Sequence, residues 1–143
     1  MIDLATAISD TQSLIRIDSQ NPGVGEGECA QWVGNELAAL GLNPVYQQVE
    51  PGRDNLVATL PGSVEAPRLV LLAHLDTVPI GGGWTLPPLE ALIKDDKIYG
   101  RGACDMKAGM AVGLGLLRTL VAHKRPLAGD VVFVATVDEE APG

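Results

Sequence analysis

This sequence is short of three things, and each shortage removes a class of protein. Its only cysteines, Cys29 and Cys104, are far apart and form no CxxC pair, so a disulfide framework is excluded and reduced thiols are expected. Basic residues number 10 against 18 acidic ones, a net charge of −8, which argues against a nucleic-acid footprint and against docking on anionic lipid. No apolar run approaches the roughly 18 residues of a membrane span. The N-terminal MIDLATAISDTQSL carries Asp3 and Asp10 and lacks the basic region and apolar stretch of a secretory signal. Neither nucleic acid nor membrane is expected as a partner, and a cytoplasmic location is the simplest inference.

What is present is enough for a folded domain. The chain has 143 residues, 46% of them hydrophobic, which suffices for one domain with a real core. Leu4, Ala7, Ile8, Leu14, Ile15 and Ile17 recur at helical spacing and SQNPG stops the pattern, so a helix is expected over 3–18. A second helix is expected over 26–40, ended by Gly41 as its C-cap glycine. Strands are expected at Val45–Val49, Asn55–Leu60 and Leu69–Leu75, separated by PGRD and by PGSVEAPR. The third, LVLLAHL, is apolar on both alternating faces except at His74, the pattern of a strand covered on two sides.

TVPIGGGWTLPPLEALIKDD has no sustained period and is expected to be an irregular connection, followed by a short strand over 97–100. A helix is expected from about Asp105 to His123, whose Gly109, Gly113 and Gly115 need close packing on a sheet to offset their low propensity. Asp130–Asp138, with VVFVATV at its centre, is a further buried strand. The alternation gives an α/β fold with a mostly parallel sheet flanked by helices, antiparallel strands at its edges being left open.

The ionisable residues gather at the ends of these strands. His74 and Asp76 lie in LLAHLD, Asp105 in GRGACDMK, and Asp138, Glu139 and Glu140 in VDEE. Ligands of open α/β sheets bind outside the carboxyl ends of strands, so three loops converge on one rim. In an extended chain His74 and Asp76 project to the same side, where one could ligate a metal and the other could hold the imidazole or stand behind it as a supporting carboxylate. Each motif also has a bland reading. An isolated His-x-Asp is a core histidine with a capping aspartate, Asp105 is a helix N-cap, and an acidic run is a solvated loop. Together, one imidazole with hard carboxylates suits Zn2+, Mn2+ or Co2+, which lowers the pKa of water and polarises a carbonyl. A neighbouring carboxylate then takes the proton and passes it to the leaving nitrogen.

LLAHLDTVP, the spacing of Trp84 and Pro88, KIYGRGACDMKAG and TVDEE, in that order, resemble the motifs of the M20 family of metallopeptidases and deacylases, which includes desuccinylases, deacetylases and carboxypeptidases. The resemblance covers essentially the whole chain. It implies a zinc-peptidase-like catalytic domain with two Zn2+ ions, Co2+ or Mn2+ being possible replacements. His74 would ligate one ion, Asp105 would bridge both, and Glu140 would ligate the other. Glu139 would be the general base and Asp76 the partner of His74. It also implies a cis peptide between Asp105 and Met106.

A complete site of that family needs a further acidic ligand after Glu140 and a histidine much later. His123 is expected instead to be a surface residue at the end of its helix. The lid or dimerisation domain would also follow residue 143. Residues 1–143 are thus expected to be the N-terminal part of a catalytic domain, inactive alone, from a homodimeric enzyme cleaving an N-acyl amino acid or small peptide. The alternative is a non-catalytic fragment that self-associates or needs complementation by the missing part. A regulatory α/β domain with chance carboxylates is a third reading.

Overall fold

The computed structural model of the chain describes residues 1–64, 68–124 and 126–141. Its elements run α1 (Leu4–Arg16), α2 (Gly27–Ala39), β1 (Val45–Glu50), β2 (Arg53–Leu60), β3 (Leu69–His74), β4 (Leu92–Lys94), β5 (Lys97–Tyr99), α3 (Ala108–His123) and β6 (Val131–Thr136). The expected PGSVEAPR turn lies partly outside the described residues.

The α/β class and flanking helices are as expected, but the sheet is mixed rather than mostly parallel. Its order is β1-β2-β6-β3. The β1–β2 and β2–β6 pairs are antiparallel, and only β3 and β6 run parallel. Chain connectivity explains this. β1 and β2 are separated only by residues 51–52, room for nothing but a hairpin, whereas α3 intervenes between β3 and β6 and supplies the crossover that a parallel pair requires.

A second correction concerns residues 77–96. Their last part forms β4, paired antiparallel with β5 as a separate hairpin. The turn is Asp95–Asp96, both at positive φ (50° and 57°), the two-residue geometry that matches strand twist and that aspartate tolerates.

The core lies between one face of the sheet and the helices. Leu14 of α1, Val33 and Leu37 of α2, and Met110, Leu114 and Leu117 of α3 pack in one cluster with Leu56, Ala58, Phe133 and Ala135. Gly113 carries out the close packing expected of it, since a Cβ there would stand 2.9 Å from the Phe133 ring. Arg118 of α3 ties the helical layer together by pairing with Asp10 of α1 and Glu36 of α2.

The opposite face of the sheet is not covered as the sequence of β3 suggests. Val70 pairs with Val132, and Leu72 with Val134, which faces Val57 on β2, so these apolar side chains share one face. Val70 is 54% exposed and Leu72 65%. β3 also ends the strand order, with no strand beyond it among the described residues.

Candidate metal centre

β3 and β6 run parallel with His74 registered opposite Thr136, so both strands deliver their carboxyl ends to one rim. His74 is almost fully buried, and its ring is held from both sides. Nδ1 lies 3.0 Å from the backbone carbonyl of Asp76 and Nε2 lies 3.0 Å from Asp105 Oδ1. A neutral imidazole that donates from Nδ1 to the carbonyl leaves Nε2 as the lone pair facing the carboxylates.

The sequence suggests that Asp76 holds His74 through its carboxylate. In the structure the carbonyl makes the shorter contact, with Oδ1 3.5 Å from Nδ1. The carboxylate mainly clamps the opposing loop, accepting the Glu139 amide at 3.3 Å, the Glu140 amide at 2.9 Å and the Asn21 side-chain amide at 3.1 Å. One buried aspartate thereby fixes the imidazole with its main chain and the double glutamate with its side chain.

Asp105 is not a helix cap. α3 starts at Ala108, and Asp105 stands before it in extended conformation (φ −125°, ψ 102°) with a cis peptide to Met106, the bond that the resemblance implied. The tight turn is made by Gly102, at φ 78°, where a Cβ would meet Thr77 and Lys107. The Asp105 carboxylate is 76% exposed and turned toward His74.

His74, Glu139 and Glu140 each offer a ligand atom, all within 4.8 Å of one another. Glu139 Oε2 is 3.9 Å from His74 Nε2. The structure thus gathers His74, Glu139 and Glu140, with Glu139 standing in this group where the expected ligand set has Asp105; Asp105 joins it through His74 Nε2 at 3.0 Å, and Asp76 lies behind. His123 is exposed at the far end of α3.

The electrostatics suit a cation. Burial pushes the Glu140 carboxyl above its ordinary value, His74 opposes this, and the charges of Asp105, Glu139 and Asp76 add to it. Burial pulls the His74 imidazole down, but the Asp105 hydrogen bond, the Asp76 carbonyl and the Asp76 and Glu139 charges raise it overall. Carboxylates crowded around one imidazole are relieved by a hard dication. Thiolate does not enter the donor set. Cys29 is fully buried in the core with its thiol pushed up to about 11, chiefly by burial.

Several supporting residues carry no signal in the sequence. Asn21 and Arg53 stand in turn-forming stretches, SQNPG and PGRD, yet their partner Asp138 lies more than 80 residues away. No local pattern reveals such a pairing. Asp138 itself is at φ 67°, and its carboxyl is held below the usual range by the Asn21 hydrogen bond and the Arg53 guanidinium. Lys107, two residues past Asp105, is buried with Nζ on the carbonyls of Leu14 and Ile17.

A mixed sheet flanked by helices, with an imidazole and carboxylates at its strand ends, is the fold of peptidase catalytic domains of the M20 kind. It superimposes with a TM-score of 0.81 on an M20 family metallo-carboxypeptidase from Sulfolobus solfataricus, covering 91% of this chain and 30% of that one, a likeness of fold at 21% identity. Residues 70–143 match Peptidase family M20/M25/M40, and the chain belongs to that family. It is 46% identical over 140 residues to the succinyl-diaminopimelate desuccinylase of Gluconacetobacter diazotrophicus, covering 95% of this chain and 35% of that protein. It is 34% identical over 134 residues to the N-formyl-4-amino-5-aminomethyl-2-methylpyrimidine deformylase of Halalkalibacterium halodurans, covering 90% of this chain and 31% of that protein. The chain spans about a third of the length of the curated relatives it matches.

Proposed function

We propose that residues 1–143 are the N-terminal part of the catalytic domain of a metal-dependent amidohydrolase that cleaves an N-acyl amino acid or small peptide, and that the chain is inactive alone. The observation that carries this reading is the convergence of His74, Glu139 and Glu140 at the ends of β3 and β6, with Asp105 reaching His74 Nε2 from the segment before α3. Of the two relatives named above, one is named a desuccinylase and one a deformylase, which supports removal of an acyl group from nitrogen.

In this reading His74, Asp105 and Glu140 hold the metal, Zn2+ by preference, as part of a two-ion site. When bound, the metal polarises the scissile carbonyl and lowers the pKa of water. The chain's own groups do the rest. The Asp76 carbonyl fixes the imidazole so that Nε2 faces the site. Glu139, the more exposed of the two glutamates, takes a proton from water and gives it to the departing nitrogen. Zinc titration tests the ligand set, because His74→Ala should abolish binding that the unaltered chain shows.

One observation favours the second reading, a chain that self-associates. β3 combines an unpaired edge, among the described residues, with the exposed apolar face of Val70 and Leu72. Such an edge is a template for another strand, and in the isolated chain the available strand is a second copy. Sedimentation should show a dimer or larger species that Leu72→Lys converts to monomer. A monomer without the substitution counts against self-association.

A further inference from the structure

Behind the double glutamate lies a polar cluster that no catalytic step uses. Glu26 is fully buried, and Arg53 grips it with both arms of its fork, Nε to Oε2 at 2.8 Å and Nη2 to Oε1 at 2.7 Å. The same Nη2 reaches Asp138 Oδ1 at 3.0 Å. Glu26 Oε1 accepts the Asp138 amide at 3.1 Å, so Asp138 is held at its main chain by Glu26 and at its side chain by Arg53. Asn21 closes the circuit by donating from Nδ2 to Asp138 Oδ1 at 2.8 Å and to Asp76 Oδ2 at 3.1 Å.

The position being held is an uncommon one. Asp138 is a non-glycine residue in the left-handed region, at φ 67°, which aspartate tolerates better than most residues but which a chain leaving a strand does not adopt by default. It turns the chain between the end of β6 and Glu139. Without that turn the strand would continue extended, and the amides of Glu139 and Glu140 would not face Asp76.

We propose that Arg53 and Glu26 are positioning residues. They brace Asp138 in its left-handed turn and so aim Glu139 and Glu140 at His74. The proposal deepens the metal-site reading and, for its mechanistic meaning, rests on it. The geometric part stands on the hydrogen bonds alone. A buried charged pair contributes little to stability compared with a well-packed apolar pair, and here it lies at the left-handed turn beside the site, where orientation is needed.

The test is amide hydrogen exchange at Glu139 and Glu140, compared with Phe133 and Ala135 in β6, for the unaltered chain, Arg53→Lys and the double variant Glu26→Gln with Arg53→Met. The double variant removes both charges, so no unpaired buried ion remains to unfold the chain. The brace predicts exchange about tenfold faster at 139 and 140, the factor of one hydrogen bond of ordinary net strength, with β6 unchanged. Arg53→Lys, which keeps the charge but loses the fork, should fall between. Unchanged exchange at 139 and 140 overturns the proposal. So does uniform loss of protection through β6, which would make the cluster a general fold element. Zinc titration of the same variants gives a second readout, expected to weaken by a similar factor. If the unaltered chain binds no zinc, the metal reading fails, and the exchange data still decide the brace.

Discussion

On the proposed amidohydrolase reading, Glu139→Gln in a full-length protein with this sequence should lower kcat by about two to four orders of magnitude while leaving KM and metal content near their original values. Glutamine keeps the size and one hydrogen-bonding oxygen but cannot accept a proton. Glu139 suits that role by placement. Its side chain is 59% exposed and within 3.9 Å of His74 Nε2, so it reaches both solvent water and the site. Glu140, by contrast, is half-buried, with its carboxyl pushed up by burial and by neighbouring carboxylates. The split between kcat and KM is the informative part. A variant whose loss lies wholly in KM, or whose metal content falls together with kcat, would make Glu139 a binding group and would reassign the base.

Lys107→Met should destabilise the chain by about 2–4 kcal/mol, because the Ile17 carbonyl loses its charged donor, the Leu14 carbonyl keeps only the Ile17 amide, and methionine offers none. Lys107 is 2% exposed. Its ammonium lies 2.8 Å from Leu14 O and 2.7 Å from Ile17 O, at the C-terminal end of α1, where carbonyls are left unsatisfied and the helix dipole favours a cation. The loss should lower Tm by roughly 5–15 °C for a domain of this size.

The pH dependence has a definite sign. Burial lowers the Lys107 pKa from its ordinary 10.5, with the Cys29 and Asp18 charges opposing it. The unfolded chain therefore binds the proton more tightly, and the stability gained from this group rises with pH from the folded pKa up to 10.5. The gap between the unaltered chain and the Lys107→Met variant should widen over that interval. Denaturant melts at several pH values measure it. A gap under about 0.5 kcal/mol, the size of an ordinary surface substitution, would show that the two carbonyls find other partners.

Helix and strand positions are readable wherever a side-chain period is sustained. Leu14, Val33 and Leu37 announce the buried faces of α1 and α2, and the apolar core of β6 announces a strand. Gly41, at φ 79°, ends α2 as its residue type suggests. Strand direction is not readable, because VYQQVE and RDNLVATL have the same alternation in either sense, and only the short link between them decides. β4 is hidden because three residues carry too little pattern.

The coverage of β3 departs from its sequence for a different reason. LVLLAHL carries the composition of a strand buried on two faces, and only one face of it is covered among the described residues. At the site, His74, Asp76, Asp105, Glu139 and Glu140 are identifiable because each ends a recognisable local motif. The brace of Asn21, Glu26 and Arg53 is not, because its meaning exists only after β2 and β6 pair and bring residue 53 beside residue 138.

The most direct test of the metal centre is calorimetric titration of Zn2+ into this chain, in metal-free buffer near neutral pH, alongside its Asp105→Ala variant. The site built by β3, β6 and the 103–107 segment predicts saturable binding that weakens more than about 100-fold in the variant, beyond the loss typical of partners outside the ligand set. Equal binding by both chains, or none by either, would contradict a centre preorganised around Asp105.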